Sequence, residues 1–296
     1  MTKPFNACCA LPPYFGGKRR LAPWIFYQLN RFYPQKQWNQ MTFLDAFTGG
    51  GSMSLLAKAH GFKAIHSNDW SNRSQIVMEA LLLNQNQTLS KADLLWLTQP
   101  LPEGTLGAVA QNLVPHVFSA RHAQALDRLL YWSSRLQDKV KQNLALLVVW
   151  HLAQNFVCMP TSLNTSNRPY AETLDGLRDW QDLNPKRFTD GSFPRLLQPT
   201  WAKLEALRKR INAGVIGGSP VVAHQLEASV FLQQTTGDIL YLDPPYAGSL
   251  NYESSLKTLD QVLIGKAGEQ ALPVSTFSQG LDAIPALLSQ ACHIPV

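Results

Sequence analysis

The chain is short of charge, of cysteine and of long apolar runs. Only 16% of its 296 residues are charged, against 45% hydrophobic. That balance excludes an intrinsically disordered chain and leaves enough apolar side chains for a sizeable core, in one large domain or two smaller ones. The four cysteines, Cys8, Cys9, Cys158 and Cys292, form no CxxC pair and no spaced framework. A disulfide scaffold and a zinc site are therefore not expected, and reduced thiols of a cytoplasmic protein are. The longest apolar run, Leu144–Leu152, is broken by His151 and is too short to span a bilayer, so no membrane partner is expected. There are no internal repeats and no low-complexity linker.

The charge that is present is unevenly placed. The net charge is +6 and the pI about 9.2, which favours an anionic partner. Residues 95–215 hold 14 Lys and Arg against 9 Asp and Glu; the remaining 175 residues hold 12 against 11. The basic excess thus sits in one central segment. Within it, Leu126–Val157 carries apolar residues at helical spacing, and Thr200–Ile211 ends in a basic run with Gly214 beyond. Between these lies a polar stretch, "MPTSLNTSNRPYAETLDG", residues 159–176. Polar loops with Asn, Arg and Tyr on a basic helical scaffold suit nucleic-acid contact. A solvated helix face explains any single Lys or Arg as well.

Residues 41–61, "MTFLDAFTGGGSMSLLAKAHG", read as a strand over Met41–Phe47, a glycine turn, and a helix over Ser52–His60 capped by Gly61. That order opens a nucleotide-binding βα unit. No GK[ST] follows the turn, which excludes a phosphate-binding P-loop, and Ser54 stands where a third dinucleotide-binding glycine belongs. A mononucleoside ligand is expected rather than a dinucleotide. The next strand, within residues 62–70, ends in Asp69, about 20 residues past the turn, where an acid accepts hydrogen bonds from ribose hydroxyls. A helix N-cap for Ser71–Asn84 is the plainer role and is compatible with it.

A standard βαβ step takes roughly 30 residues, yet about 170 separate Asp69 from Asp243. An insertion, largely helical and basic, is therefore expected at 95–215, interrupting a parallel sheet. Val221–His224 reads as strand three, with Glu227 after it, and Ile239–Leu242 as strand four. The stretch "DPPY", 243–246, follows at once. Two prolines stop the strand and fix a rigid corner at its C-terminal end, where open α/β sheets place ligands. The corner presents a carboxylate, a carbonyl that no local N–H claims, and an aromatic plane. That is a clamp for a flat ring bearing an amino group, although Pro-Pro pairs also form ordinary turns. Upstream, "PPYFGGKRR" at 12–20 is a glycine turn flanked by aromatic and basic residues, suited to close backbone approach or simply to a solvated turn.

The order "YFGGK", "LDAFTGGGS", long insertion, "DPPY" resembles the DNA adenine-N6 methyltransferases that carry a central specificity insertion. The resemblance runs from about residue 12 to the end. It implies a Rossmann-like S-adenosylmethionine-dependent methyltransferase sheet, α/β in class, built from residues 1–94 and 216–296, with an inserted mainly helical DNA-recognition domain at 95–215. It implies that Tyr14, Gly16, Gly17 and Lys18 contact the cofactor. Asp45, Phe47, Gly49 and Gly51 would shape its pocket, Asp69 would hold its ribose, and Glu227 would lie near its adenine. Asp243, Pro244, Pro245 and Tyr246 would form the catalytic clamp, Asp243 also facing the cofactor. Double-stranded DNA is the implied substrate, with Asn164, Arg168, Tyr170, Lys186 and Arg187 as its candidate contacts. No metal is expected, a monomer is, and a cognate restriction enzyme would be a natural companion. An RNA or protein-glutamine N-methyltransferase, or a non-catalytic fragment binding cofactor or DNA, are the competing readings. Leu281–Ala291 reads as a helix and residues 293–296 as the start of a fifth strand, so a truncated C-terminal end, with further strands missing, is expected.

Overall fold

The computed structural model describes residues 7–14, 16–114, 117–118, 120–156, 201–245, 252–265 and 283–291. Four parallel strands form its sheet: β1 (Thr42–Asp45), β2 (Ala64–Asn68), β3 (Val221–His224) and β4 (Ile239–Tyr241), in the order β3-β2-β1-β4. Phe43 pairs with Ile65 on one side and Ile239 on the other, and Asp45 with Ser67 and Tyr241. Strand order reverses between β1 and β4, so a crevice opens at their C-terminal ends, the usual ligand position of such sheets. Among the described residues β4 pairs with β1 alone. Residues 293–296, expected to begin a fifth strand, lie outside the described residues.

The helices follow from their ends. α1 (Ala22–Phe32) starts with Pro in its first turn, where the missing N–H costs nothing. α2 (Ser52–His60) starts after Gly51 and stops at Gly61, both left-handed. The Gly61 N–H reaches the Lys58 carbonyl and the Phe62 N–H the Ala57 carbonyl, the paired bonds of a Schellman end. α3 (Asn72–Val77) is capped by Ser71 rather than by Asp69, which instead accepts from the Ser71 N–H, and runs on as a π turn over Met78–Leu82. Buried Lys58 closes that turn. Its Nζ donates to the carbonyls of Leu81, Leu82 and Asn84 at 3.2, 2.8 and 2.6 Å. Burial pulls its pKa down to about 8.

Side chains alternate across β1. Phe43 joins Phe26, Trp38 and Phe62 on the face covered by α1 and α2, where the Phe26 and Phe43 rings stack at 5.8 Å. Leu44 and Ala46 face the other way, onto Phe231 and Leu232 of α9 (Ala228–Gln234) and Leu287 of α11 (Ala283–Gln290). This is the period-2 pattern of a sheet covered on both faces.

Among the described residues, α4 (Lys91–Leu97) straddles the start of the expected insertion, and α5 (Ala108–Leu113), α6 (Ala120–Ser133), α7 (Lys139–Phe156) and α8 (Trp201–Asn212) lie within it. α10 (Tyr252–Leu263) follows the clamp. The single helical stretch expected over Leu126–Val157 is two helices. Asp138 takes the Val140 and Lys141 amides at 2.8 and 3.2 Å and so starts a new one. Leu97, Leu126, Leu144 and Trp150 belong to the same apolar cluster as Phe43 and Ile65. The described helices of 95–215 therefore share the core of the sheet.

Candidate active site

The crevice is built from the ends of β1, β2 and β4. Asp45 ends β1 and is 1% exposed. The Ser54 hydroxyl donates to its Oδ2 at 2.6 Å, and the Ser67 hydroxyl to Ser54 Oγ at 2.7 Å. Its Oδ1 is buried with no hydrogen-bond partner among the described residues. Burial, then the negative charges of Asp69 and Asp243, push the Asp45 carboxyl up to about 7, while Ser54 and the Phe47 amide pull it down. Three carboxylates thus act on one another across the crevice, an arrangement that a cationic ligand relieves.

Asp69, just past β2, is spoken for by backbone and hydroxyl. The Gly49 N–H donates to its Oδ2 at 2.7 Å, and the Ser71 N–H and hydroxyl to its Oδ1 at 2.9 and 2.7 Å. Oδ1 is thereby filled, and Oδ2 keeps a second lone pair for a ribose hydroxyl. The carboxylate also fixes the glycine turn over β1, with the Thr48 N–H on the Asn68 carbonyl at 2.8 Å.

Tyr14 roofs that turn. A Cβ added at Gly50 would lie 2.8 Å from the Tyr14 Cβ, so only glycine lets the two segments meet. Gly51 has φ +81, and a Cβ there would also strike Val77. The Tyr14 hydroxyl accepts from Arg73 Nη2 at 3.2 Å, and its ring packs against Trp150. Arg73, 7% exposed, forms an ion pair with buried Asp260 on α10. Burial pushes the Asp260 carboxyl up, and Arg73 works against it. The sequence carries no sign of the Arg73–Asp260 pair, of Trp150, or of the Ser67–Ser54–Asp45 chain.

Two distant motifs meet at the crevice. Gly16 (φ 72) turns the chain, the Gly17 N–H closes on the Tyr14 carbonyl at 3.0 Å, and Lys18 is thrown across the opening. Its Nζ donates to the Gly16 carbonyl at 2.9 Å and pairs with Asp243 Oδ2 at 2.6 Å. Phe47, Pro244 and Pro245 are half-buried nearby in sequence, after β1 and β4 respectively. Glu227 lies after β3, its Oε2 capping α9 through the Ser229 N–H at 2.7 Å. Tyr246 and the candidate DNA contacts Asn164, Arg168, Tyr170, Lys186 and Arg187 lie outside the described residues. Among the described residues no group of three or more His, Cys, Asp or Glu can hold a metal, and no helix is long and apolar enough to cross a membrane.

Residues 14–104 match the family model of the D12 class N6 adenine-specific DNA methyltransferases. The match starts at the residue that roofs the glycine turn and spans β1, β2 and Asp69. A second likeness extends through the clamp. The chain is 25% identical over 259 residues, 86% of its length, to the Type II methyltransferase M2.HphI of Haemophilus parahaemolyticus, covering 71% of that protein. Both findings support an adenine-N6 DNA methyltransferase. No solved structure matches. The four-stranded parallel sheet is consistent with an S-adenosylmethionine-dependent methyltransferase fold.

Proposed function

We propose that this methyltransferase transfers a methyl group from S-adenosylmethionine to N6 of an adenine flipped out of duplex DNA, at a site read by residues 95–215. The observation that carries the reading is the 2.6 Å Lys18–Asp243 pair, which joins the glycine-glycine-lysine turn to the clamp at the sheet's switch point. Site-specific methylation is what the family and the relative's description support; the residue roles, the cofactor and the recognition segment are our assignment.

The donor set fits the cofactor. A sulfonium is cationic, and Asp45, Asp69 and Asp243 surround the crevice. Asp45 Oδ1 lacks a partner, and the glycine turn leaves backbone where side chains would intrude. Tyr14, Gly16, Gly17 and Lys18 would bind one end of the cofactor. Phe47, Gly49 and Gly51 would line its middle, Asp69 would bind its ribose, and Glu227 would approach its adenine. When bound, it supplies a methyl group on an already excellent leaving group, so no metal is required.

The protein's work is placement. Adenine N6 is a poor nucleophile because its lone pair is delocalised into the ring. Asp243 and the Pro244 carbonyl accept its two N–H bonds, which favours a pyramidal nitrogen with a localised lone pair. Pro245 keeps the corner rigid, and Tyr246 stacks on the base. Lys18 holds the Asp243 carboxylate at the crevice mouth before DNA arrives. Orientation and electrostatics supply the rate. A cytoplasmic monomer acting beside a cognate restriction enzyme is the biological setting we propose. The test is transfer of labelled methyl to duplex DNA, structured RNA and protein in parallel. Transfer to DNA, with label on adenine N6, is expected; label on RNA or protein alone, or none, would overturn the reading.

A further inference from the structure

Beside the glycine turn lies a cavity of about 260 Å3, lined among others by Pro13, Arg19, Arg20, Gly50 and Ser52. Lys18, Asp45, Phe47, Asp69 and Asp243 do not line it. Tyr14 stands between the cavity and the crevice, lining the one and covering the turn that floors the other. The cavity reaches the start of α2. Gly51 precedes that helix and no side chain caps it, so its first-turn N–H groups have no side-chain acceptor. Ser52, its first residue, is 7% exposed, and its hydroxyl has no hydrogen-bond partner among the described residues.

The surrounding charge says what kind of group that is. Arg19 reaches the Leu11 carbonyl at 3.4 Å, and Arg20 is exposed with no ion pair among the described residues. From residue 16 to residue 44 the chain carries Lys18, Arg19, Arg20, Arg31 and Lys36 and no Asp or Glu. Two guanidiniums, a hydroxyl and a helix N-terminus form a seat for an oxyanion. The carboxylate of S-adenosylmethionine is one source, reached from the Tyr14–Lys18 turn proposed to bind that cofactor, but the positive charge runs on past that turn through Arg19, Arg20, Arg31 and Lys36. A DNA phosphate is attracted by all of it.

We infer that this cavity binds a backbone phosphate of the DNA, held by Arg19, Arg20, the Ser52 hydroxyl and the N-terminus of α2. Lys18, one residue before Arg19, touches the Asp243 clamp. The phosphate held here is therefore close to the target nucleotide. The seat anchors the backbone while the base leaves the stack. The inference rests on the proposed DNA substrate and adds a contact outside residues 95–215.

The test uses Arg20→Gln, Arg20→Lys and Ser52→Ala in the full chain. Duplex DNA affinity is measured across a salt series and S-adenosylmethionine affinity by calorimetry. Each phosphate contact contributes about 0.9 to the slope of log affinity against log salt. Arg20→Gln should flatten the slope by about that amount and weaken DNA binding roughly 3- to 10-fold at low salt. Arg20→Lys should keep the slope, since the charge remains. Ser52→Ala should weaken DNA binding a few-fold with little change of slope. Cofactor affinity should stay within about twofold in all three. Unchanged DNA affinity and slope in Arg20→Gln would overturn the inference. So would lost cofactor affinity with intact DNA binding, which would assign the seat to the cofactor's carboxylate. Failure of the DNA substrate itself shows separately, as wild-type protein that neither binds nor methylates DNA.

Discussion

Just past β1 and β2 the Asp45 and Asp69 carboxylates close on near neighbours, while Asn68 beside them reaches Leu226. Gly49 and Asp69 are 20 residues apart, and Asp45 and Ser54 only 9. At the end of β4 the partners come from across the chain. Asp243 pairs with Lys18, and the roof over the turn is pinned by Arg73 to Asp260, 187 residues away. The cradle's contacts thus lie within one βαβ unit, β1-α2-β2, whereas those of the clamp join segments from opposite ends of the sequence. A cofactor site closed locally and a catalytic corner closed at long range should respond differently to substitution.

The largest expected effect separates the two directly. Asp243→Ala should abolish methyl transfer to DNA, by more than about 100-fold, while cofactor binding and the fold persist. Retention of more than a few per cent of wild-type activity in a labelled-methyl assay would remove Asp243 from the chemistry. Breaking the long-range pin should instead damage both regions at once. Arg73→Met leaves Asp260 as an uncompensated buried carboxylate and removes the Tyr14 partner, at a cost of about 3–5 kcal/mol. Chemical denaturation measures it. Asp260→Asn leaves Arg73 as the uncompensated buried charge and should cost about as much, whereas the double variant Arg73→Met/Asp260→Asn should lose less than the two single losses added; strict additivity would deny the charge imbalance.

The same division explains what was legible in the sequence. α2 was readable to its ends because glycines at 51 and 61 mark both termini. β3 was readable because Val221–His224 is a short apolar-rich run after Pro220. The glycine turn and the position of Asp69 past β2 were readable because strand, turn, helix and strand are contiguous; Asp45 was named only through the family resemblance. Arg73 and Asp260 were not, since nothing local marks a buried Arg whose partner lies on a helix beyond the clamp. Lys58 was hidden for a related reason. A lysine in an amphipathic helix looks solvated, and only the π turn brings three carbonyls to it. The recognition role of 95–215 was inferred from charge, while its described helices prove to share the core of the sheet.

Asp45 sharpens the comparison from the cradle side. Its folded-state pKa is about 7, above the ordinary value of 3.8. The folded protein therefore holds a proton that the unfolded chain has released, and stability falls as pH rises from about 4 to about 7, then levels. Asp45→Asn removes this dependence. The variant should gain on wild type through that window and be more stable above pH 7, by about 4 kcal/mol or roughly 10 °C. It should also bind S-adenosylmethionine more weakly, because a carboxylate facing the sulfonium is lost. Thermal melts at pH 5 and pH 8 decide the first part. A stability difference independent of pH would show that Asp45 is ionised in the folded protein.

The smallest expected effect concerns Glu227, the acid after β3, which belongs to both regions by position and to neither by contact. Its Oε2 caps α9, and its Oε1 takes no partner among the described residues. A cap of this kind is worth about 1 kcal/mol. If the carboxylate also approaches the cofactor's adenine, its removal must show in binding as well as in stability. Glu227→Ala should therefore lower the melting temperature by about 3 °C and weaken S-adenosylmethionine about threefold. Glu227→Asp provides the control, since the shorter acid still caps a helix but draws the free oxygen back from the crevice. It should restore stability and leave cofactor affinity reduced. Cofactor affinity that follows stability in both variants would confine Glu227 to the helix end, and the cradle would then consist of β1 and β2 alone.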